Sequence, residues 1–169
     1  MNKQLSIIRH AKSDWSTDNK DFERVLNDRG YADAQLMGEY LQASKQQFDR
    51  VYCSTAKRAK LTLQQLNCSL KLPQSRIYYE QSLYLSSVIH LVSFIGQFNE
   101  QDNHIALIAH NPGLTDLCNF LTGDQLSNLP TCAVYSVQFF VDEWRAVGAE
   151  CGTKKTLIRP RMLKEGGPG

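Results

Sequence analysis

The sequence is poor in the features that mark several large classes of protein. Neither sign of charge dominates: 19 Lys and Arg stand against 17 Asp and Glu, a formal net charge of +2. A field that weak excludes nucleic acid and anionic membrane as main partners, so any recognition of anions has to come from a local cluster. No apolar run approaches the roughly 20 residues of a membrane span. The N-terminal stretch Met1 to Ile8 turns charged at Arg9-His10 before a secretory core can form. The five cysteines, Cys53, Cys68, Cys118, Cys132 and Cys151, are odd in number and none has C-x-x-C spacing. That argues against a disulfide framework and a cysteine zinc site, and for buried free thiols in a reducing, cytoplasmic setting. There is no H-x-H pair and no carboxylate cluster beside a histidine, so neither a metal nor any other cofactor is expected. No internal repeat or linker divides the chain. A single domain is expected over residues 1–163, with a flexible tail over 164–169.

What is present is a globular composition, 42% hydrophobic and 21% charged, with apolar runs of two kinds. Leu5–Ile8, Val51–Cys53, Ile77–Tyr79 and Ile105–Ala109 are short runs that read as strands. Between them the spacing changes to that of helices. Asp28 caps one running to about Phe48, with Ala32, Leu36, Met37, Tyr40 and Leu41 on its apolar face. Ser54 starts a second, with Ala59, Leu63, Leu66 and Leu70 inside. Val88, Leu91, Val92, Ile95 and Phe98 mark a third, and Pro112-Gly113 opens a fourth that Gly123 closes. Residues 11–27 are polar and read as a loop. Ala133–Val141 and Trp144–Val147 read as a hairpin. Alternation of strand and helix predicts an α/β fold: a three-layer α/β/α sandwich with a mostly parallel central sheet and a C-terminal antiparallel hairpin.

In such a sheet, ligands bind outside the carboxyl ends of the strands. The first strand exits into Arg9-His10, the second into Ser54 with Arg58 one helical turn on, the third into Glu80 and the fourth into His110-Asn111. Two arginines and two histidines suit a phosphoryl group. Guanidinium forks match its oxygens, and histidine serves as a nucleophile near neutral pH. Helix starts after Ser54 and after Asn111 add unpaired N–H groups, which brings the Asn111 backbone into the candidate phosphate site. Ser54 is also a favoured N-cap, and both roles are compatible. His90 and His104 have no such company and read as surface residues.

These residues also carry a resemblance. Arg9-His10-Ala11-Lys12-Ser13-Asp14-Trp15 resembles the R-H-G-x-S-x-W signature of the histidine phosphatase superfamily, the phosphoglycerate-mutase-like proteins. Ser54-Thr55-Ala56-Lys57-Arg58-Ala59-Lys60-Leu61-Thr62 resembles its S-P-x-x-R-A-x-x-T helix start. Ala109-His110-Asn111-Pro112-Gly113 resembles the segment bearing its second histidine. The three occur in the family's order between residue 5 and about residue 122. The short chain, R-H-A-K-S-x-W and H-N-P-G look most like the compact SixA-type phosphohistidine phosphatases. The resemblance implies a phosphoglycerate-mutase-like fold, His10 as phosphorylated nucleophile, and Arg9, Arg58 and His110 around the phosphoryl oxygens. Ala11 replaces a glycine and Thr55 a proline. Ser16 stands where many members have a phosphate-binding asparagine. Glu80 lies at the strand exit matching the general acid, with Asp14 or no acid as alternatives. The function so implied is a metal-independent phosphatase acting on a phosphorylated protein such as a histidine phosphotransfer domain, or on a small phosphorylated metabolite, and releasing inorganic phosphate. A mutase fits less well, with little length for insertions that enclose a substrate. A non-catalytic phosphate- or phosphoprotein-binding module would not need a nucleophilic histidine.

Overall fold

The computed structural model describes residues 2–166. Six strands form one sheet in the order β3-β2-β4-β1-β5-β6. β1 (Lys3–Arg9), β2 (Arg50–Ser54), β3 (Ile77–Glu80) and β4 (His104–Ala109) are parallel, while β5 (Val134–Phe139) pairs antiparallel with β1 and β6 (Gly152–Ile158) antiparallel with β5. The alternation of side chains divides the core cleanly. Leu5 and Ile7 of β1, Ile105 and Leu107 of β4, and Tyr135 and Val137 of β5 meet α3 (Val88–Ile95) and α4 (Gly113–Thr122) on one face. Ile8, Ala106, Ile108 and Val134 meet α1 (Asp28–Ala43) and α2 (Lys57–Leu70) on the other. The chain moves outward from β1 through β2 to β3 under α1 and α2, then returns through α3 to β4 between β2 and β1. Right-handed crossovers put helices on opposite faces when the direction of travel reverses. The reversal opens a crevice at the carboxyl ends of β1, β2 and β4. No described helix is long and apolar enough to cross a membrane.

Several expected elements shift. Helix α1 is capped by Asn27, whose side chain accepts from the Gly30 amide at 2.8 Å, and it ends at Ala43 instead of near Phe48. Phe48 is buried nonetheless, reached from the loop and packed on His104. The buried stripe of α1 is rotated toward Ala34 and Gly38, leaving Ala32 exposed. Ser54 ends β2 rather than starting a helix; α2 begins at Lys57 with Ala56 as its cap. The hairpin partner of β5 is β6, not Trp144–Val147. Trp144 lies in a 3-10 turn, fully buried, with its indole N–H on the Asp102 carbonyl at 2.8 Å. β6 is an exposed edge whose centre, Thr153 to Thr156, lacks apolar alternation, so it carries no strand signal of its own. A further helix, α5 (Pro160–Lys164), follows it, and Lys164, expected in the frayed tail, pairs with buried Asp33 at 2.5 Å. Residues 167–169 of that tail lie outside the described residues. His104 is half-buried and bonded to the Ser6 hydroxyl at 2.9 Å, not a free surface residue.

Candidate active site

The crevice holds a cavity of about 230 Å³ lined by Arg9, His10, Lys12, Ser13, Trp15, Asp21, Arg24, Arg58, Leu85, His110, Asn111 and Thr131. Backbone ties set its floor. The Ala11 amide donates to the Thr62 hydroxyl, which donates to the Arg58 carbonyl, joining the exit of β1 to α2. The carbonyl of Lys12 lies so close to α1 that a Cβ on Gly30 would come within 2.1 Å of it. Gly30 is therefore required for close approach, not for its backbone angles.

The hydrogen bonds assign the ring states. His10 Nδ1 lies 2.8 Å from the Ala11 carbonyl, which can only accept, so Nδ1 carries the proton. His10 Nε2 is then a lone pair, and it accepts from Arg58 Nε at 3.2 Å. Burial, the neighbouring His110 and two arginines push the His10 pKa well below its ordinary value, keeping the ring neutral. On the facing exit, the Ser54 hydroxyl accepts from the Ala56 amide at 3.3 Å and has its proton free for His110 Nε2, 2.7 Å away. With Ser54 as that donor, the proton of His110 sits on Nδ1. Nδ1 is buried and has no hydrogen-bond partner among the described residues, and the same holds for Arg9 Nε. Two orphaned donors on one cavity are a cost unless an acceptor joins them. Burial first, then Arg58, holds His110 neutral, at about 3. The two imidazoles are 5.1 Å apart.

Arg58 is almost fully buried and spans the site: Nε on His10, Nη1 on the Asp21 carbonyl at 2.6 Å, Nη2 on the Asp21 carboxylate at 3.1 Å. Arg9 donates to the Leu129 carbonyl at 2.9 Å. The residue 11–27 segment is more ordered than a plain loop. It contains a bridge between Ser13 and Leu26 and a 3-10 turn over Asp21–Glu23, and this turn brings in residues that sequence reasoning missed. Asp21 also takes both Arg24 Nε and Nη2, and the Tyr84 hydroxyl. Desolvation opposes its ionisation, but Tyr84, Arg24 and Arg58 together outweigh it and hold the carboxyl well below the usual range. Arg24, itself buried, bonds the Ser13 hydroxyl and stacks 3.6 Å from the Trp15 ring centroid.

Arg9, His10, Arg58 and His110 are thus brought together. Asn111 lines the cavity too, but its side chain is engaged with Leu129, Asn128 and Thr115. Glu80, Ser16 and Asp14 are not among the lining residues. Glu80 leaves β3, the outermost strand of its side of the sheet. The amide and hydroxyl of Ser16 both bond Asp14 on the exposed part of the loop. The cavity therefore holds four cationic side chains, Arg9, Lys12, Arg24 and Arg58, against the single carboxylate of Asp21. Such a site has the charge and size to suit a compact dianion beside a neutral imidazole.

The model of the histidine phosphatase superfamily (branch 1) matches residues 5–77. Among solved structures the chain is similar to the protein histidine phosphatase SixA complexed with tungstate, with a TM-score of 0.82 and 25% identity over 95% of this chain and 99% of that one. Among curated proteins it is 27% identical over 125 residues to an uncharacterized protein of Mycobacterium leprae, covering 72% of this chain and 74% of that protein. It is 30% identical over 86 residues to a 2,3-bisphosphoglycerate-dependent phosphoglycerate mutase of Brucella suis, covering 49% of this chain and 42% of the mutase.

Proposed function

We propose that the chain is a member of the histidine phosphatase superfamily, whose model matches residues 5–77, and that it is a metal-independent protein phosphohistidine phosphatase with His10 as its nucleophile. The phosphoryl group enters between Arg9, Arg24, Arg58 and His110. Arg58 Nε–H turns from His10 Nε2 to a phosphoryl oxygen, freeing the lone pair. Nε2 forms the N–P bond as the bond to the leaving group breaks, and the Nδ1–H bond to the Ala11 carbonyl steadies the positive charge that develops on the ring. The orphaned donors of Arg9 and His110 meet the other oxygens, where they stabilise charge in the transition state. Water then attacks phosphorus, its oxygen replaces His10, and inorganic phosphate leaves. The arginines and Lys12 supply the positive charge that a metal supplies elsewhere. That the related SixA structure is complexed with tungstate, a tetrahedral oxyanion, supports the same use of this cavity.

The state of the carboxyl groups carries the choice of substrate. Asp21 is the carboxyl that lines the cavity, and its partners keep it ionised, so it has no proton to give. An alkyl phosphate needs its leaving oxygen protonated, whereas the imidazole of phosphohistidine leaves already protonated or neutral. Cytoplasmic placement is part of this reading, and the buried free thiols of Cys53, Cys118 and Cys132 support it. The test is turnover of a histidine-phosphorylated phosphotransfer domain, an aryl phosphate and glycerol phosphate, each with and without EDTA. The first two should be hydrolysed, glycerol phosphate should be turned over at least a hundredfold more slowly, and EDTA should change nothing. Glycerol phosphate as the best substrate would move the assignment to a small-molecule phosphomonoesterase. Loss of activity on chelation would refute the metal-independent mechanism.

A further inference from the structure

Among the described residues the Arg9 guanidinium is aimed by a single polar tie, Nη1 donating to the Leu129 carbonyl at 2.9 Å, while its Nε is buried without a partner. A long side chain with so much rotamer freedom keeps one orientation only if its acceptor is itself fixed. What holds Leu129 therefore decides where Arg9 Nε points. Leu129 lies between α4 and β5, in a stretch with neither helix nor strand. Both polar groups of its peptide are nonetheless gripped by side chains from the start of α4. Its amide donates to the Thr115 hydroxyl at 3.0 Å, and its carbonyl accepts from Asn111 Nδ2 at 3.0 Å as well as from Arg9. The Thr115 hydroxyl donates in turn to Asn111 Oδ1 at 3.0 Å, which closes a ring through Thr115, Asn111 and Leu129. Asn111 has no spare capacity. Oδ1 also accepts from the Thr115 amide at 3.2 Å, and Nδ2 also donates to Asn128 Oδ1 at 3.0 Å. A backbone amide can only donate and a carbonyl only accept, so these partners fix which end of the side chain is which. Beyond Leu129 the connection is tied to the exit of β1: the Cys132 amide donates to the carbonyls of Arg9 and His10 at 3.0 and 3.1 Å. Holding the first turn of α4 would need only Asn111 Oδ1. The Nδ2 end of Asn111 and the Thr115 hydroxyl serve the Leu129 peptide instead.

We propose that Asn111 and Thr115 are positioning residues for Arg9: their hydrogen-bonded ring holds the Leu129 carbonyl as a fixed stop that aims Arg9 Nε into the phosphoryl site. This rests on the phosphatase reading above. The side chain of Asn111 thus acts through Arg9 and does not itself touch the phosphoryl group. The same turn carries His110, whose carbonyl accepts from the Leu114 amide at 3.1 Å. The start of α4 therefore sets both orphaned donors of the cavity, His110 Nδ1 through its own backbone and Arg9 Nε through Leu129. A network with every donor and acceptor used has one arrangement, and that is what a preorganised anion site requires.

The experiment measures turnover of p-nitrophenyl phosphate by wild type, Asn111→Ala, Thr115→Val and Thr115→Ser, with circular dichroism to verify folding. Asn111→Ala and Thr115→Val should each lower kcat about tenfold or more and change KM by less than about twofold, because a misaimed Arg9 fails mainly in the transition state. Thr115→Ser keeps the hydroxyl and should recover most of the rate that Thr115→Val loses. A packing role would reverse that order, since valine fills the space of the threonine methyl and serine leaves it empty. A double-mutant cycle separates positioning from general damage: with Arg9 already replaced by alanine, adding Asn111→Ala should cost less than about twofold. A tenfold loss in both backgrounds, a folded Asn111→Ala with the wild-type kcat, or a Thr115→Val faster than Thr115→Ser would overturn the positioning role and leave the phosphatase assignment standing. An Arg9→Ala variant as fast as wild type would overturn it too, by removing the residue to be positioned. A wild type that hydrolyses neither p-nitrophenyl phosphate nor a histidine-phosphorylated phosphotransfer domain would overturn the phosphatase reading and this role together.

Discussion

Lowering the pH from about 8 to about 5 should strip stability from this protein before its carboxylates begin to protonate. Three histidines are held neutral in the folded chain: His10 well below its ordinary value, His110 at about 3 and His104 at about 4, each through burial first. In the unfolded chain they titrate near 6.5. Their folded pKa values are depressed, so as pH falls below 6.5 the unfolded chain binds protons that the folded one refuses. The stability they contribute is present above 6.5 and is lost toward the folded values. Linkage gives a loss of about 2 kcal/mol each for His110 and His104 at pH 5, or about 4 kcal/mol together, and His10 adds to it in the same direction. That is a large share of the 5–15 kcal/mol typical of a domain. The ion-paired Asp21 does not blur this window, because its pKa is depressed from the carboxylate range and its contribution is lost only below about pH 4. Urea unfolding at several pH values measures the slope. His104→Gln, at the far end of β4 from the site, should reduce the loss by about 2 kcal/mol. Saturating inorganic phosphate should flatten the His10 and His110 share by favouring their protonated forms, and leave the His104 share. A free energy of unfolding that is level between pH 7 and 5, or a His104→Gln slope equal to wild type, would refute the reasoning.

Arg58→Lys should lower kcat on an aryl phosphate by about 10²–10³, because one ammonium cannot reach the three separate acceptors of the guanidinium; steady-state rates check it. Asp21→Asn should tighten product inhibition by inorganic phosphate about fivefold or more, since one anion fewer shares Arg24 and Arg58; an unchanged inhibition constant would mean that Asp21 does not compete for those forks. Gly30→Ala should lower Tm by about 2–4 °C for each kcal/mol of the 1–3 kcal/mol that overpacking against the Lys12 carbonyl costs, and melting by circular dichroism reads it directly.

What the chain alone could reveal about this site follows from where its signals are local. Arg9, His10 and His110 were legible because each follows an apolar strand, and Arg58 because it lies one turn beyond another. Asp21, Arg24 and Tyr84 were not, for a physical reason. Their positions depend on partners far along the chain, as Asp21 shows by joining Arg58, 37 residues away, and Tyr84, 63 residues away. No period or cap marks such a turn. The edge strand β6 was missed likewise, because Lys154 and Lys155 face solvent in succession and the strand exists by pairing with β5.

Glu80 illustrates the limit of reasoning from strand exits. It does leave a parallel strand at the carboxyl edge, in register with Ser54. Yet β3 is separated from β1 by both β2 and β4, about 15 Å of sheet at the usual spacing between strands. A strand exit contributes to the site only if its strand lies next to the point where the chain reverses direction across the sheet. Chain order puts β3 between β2 and β4 and so brings Glu80 close to His110; spatial order puts β4 between β2 and β1 and leaves Glu80 outside. The same reversal explains why His110, from the fourth strand in sequence, faces His10 from the first: β4 pairs directly with β1, Arg9 opposite Ala109, so the two residues that follow them emerge side by side.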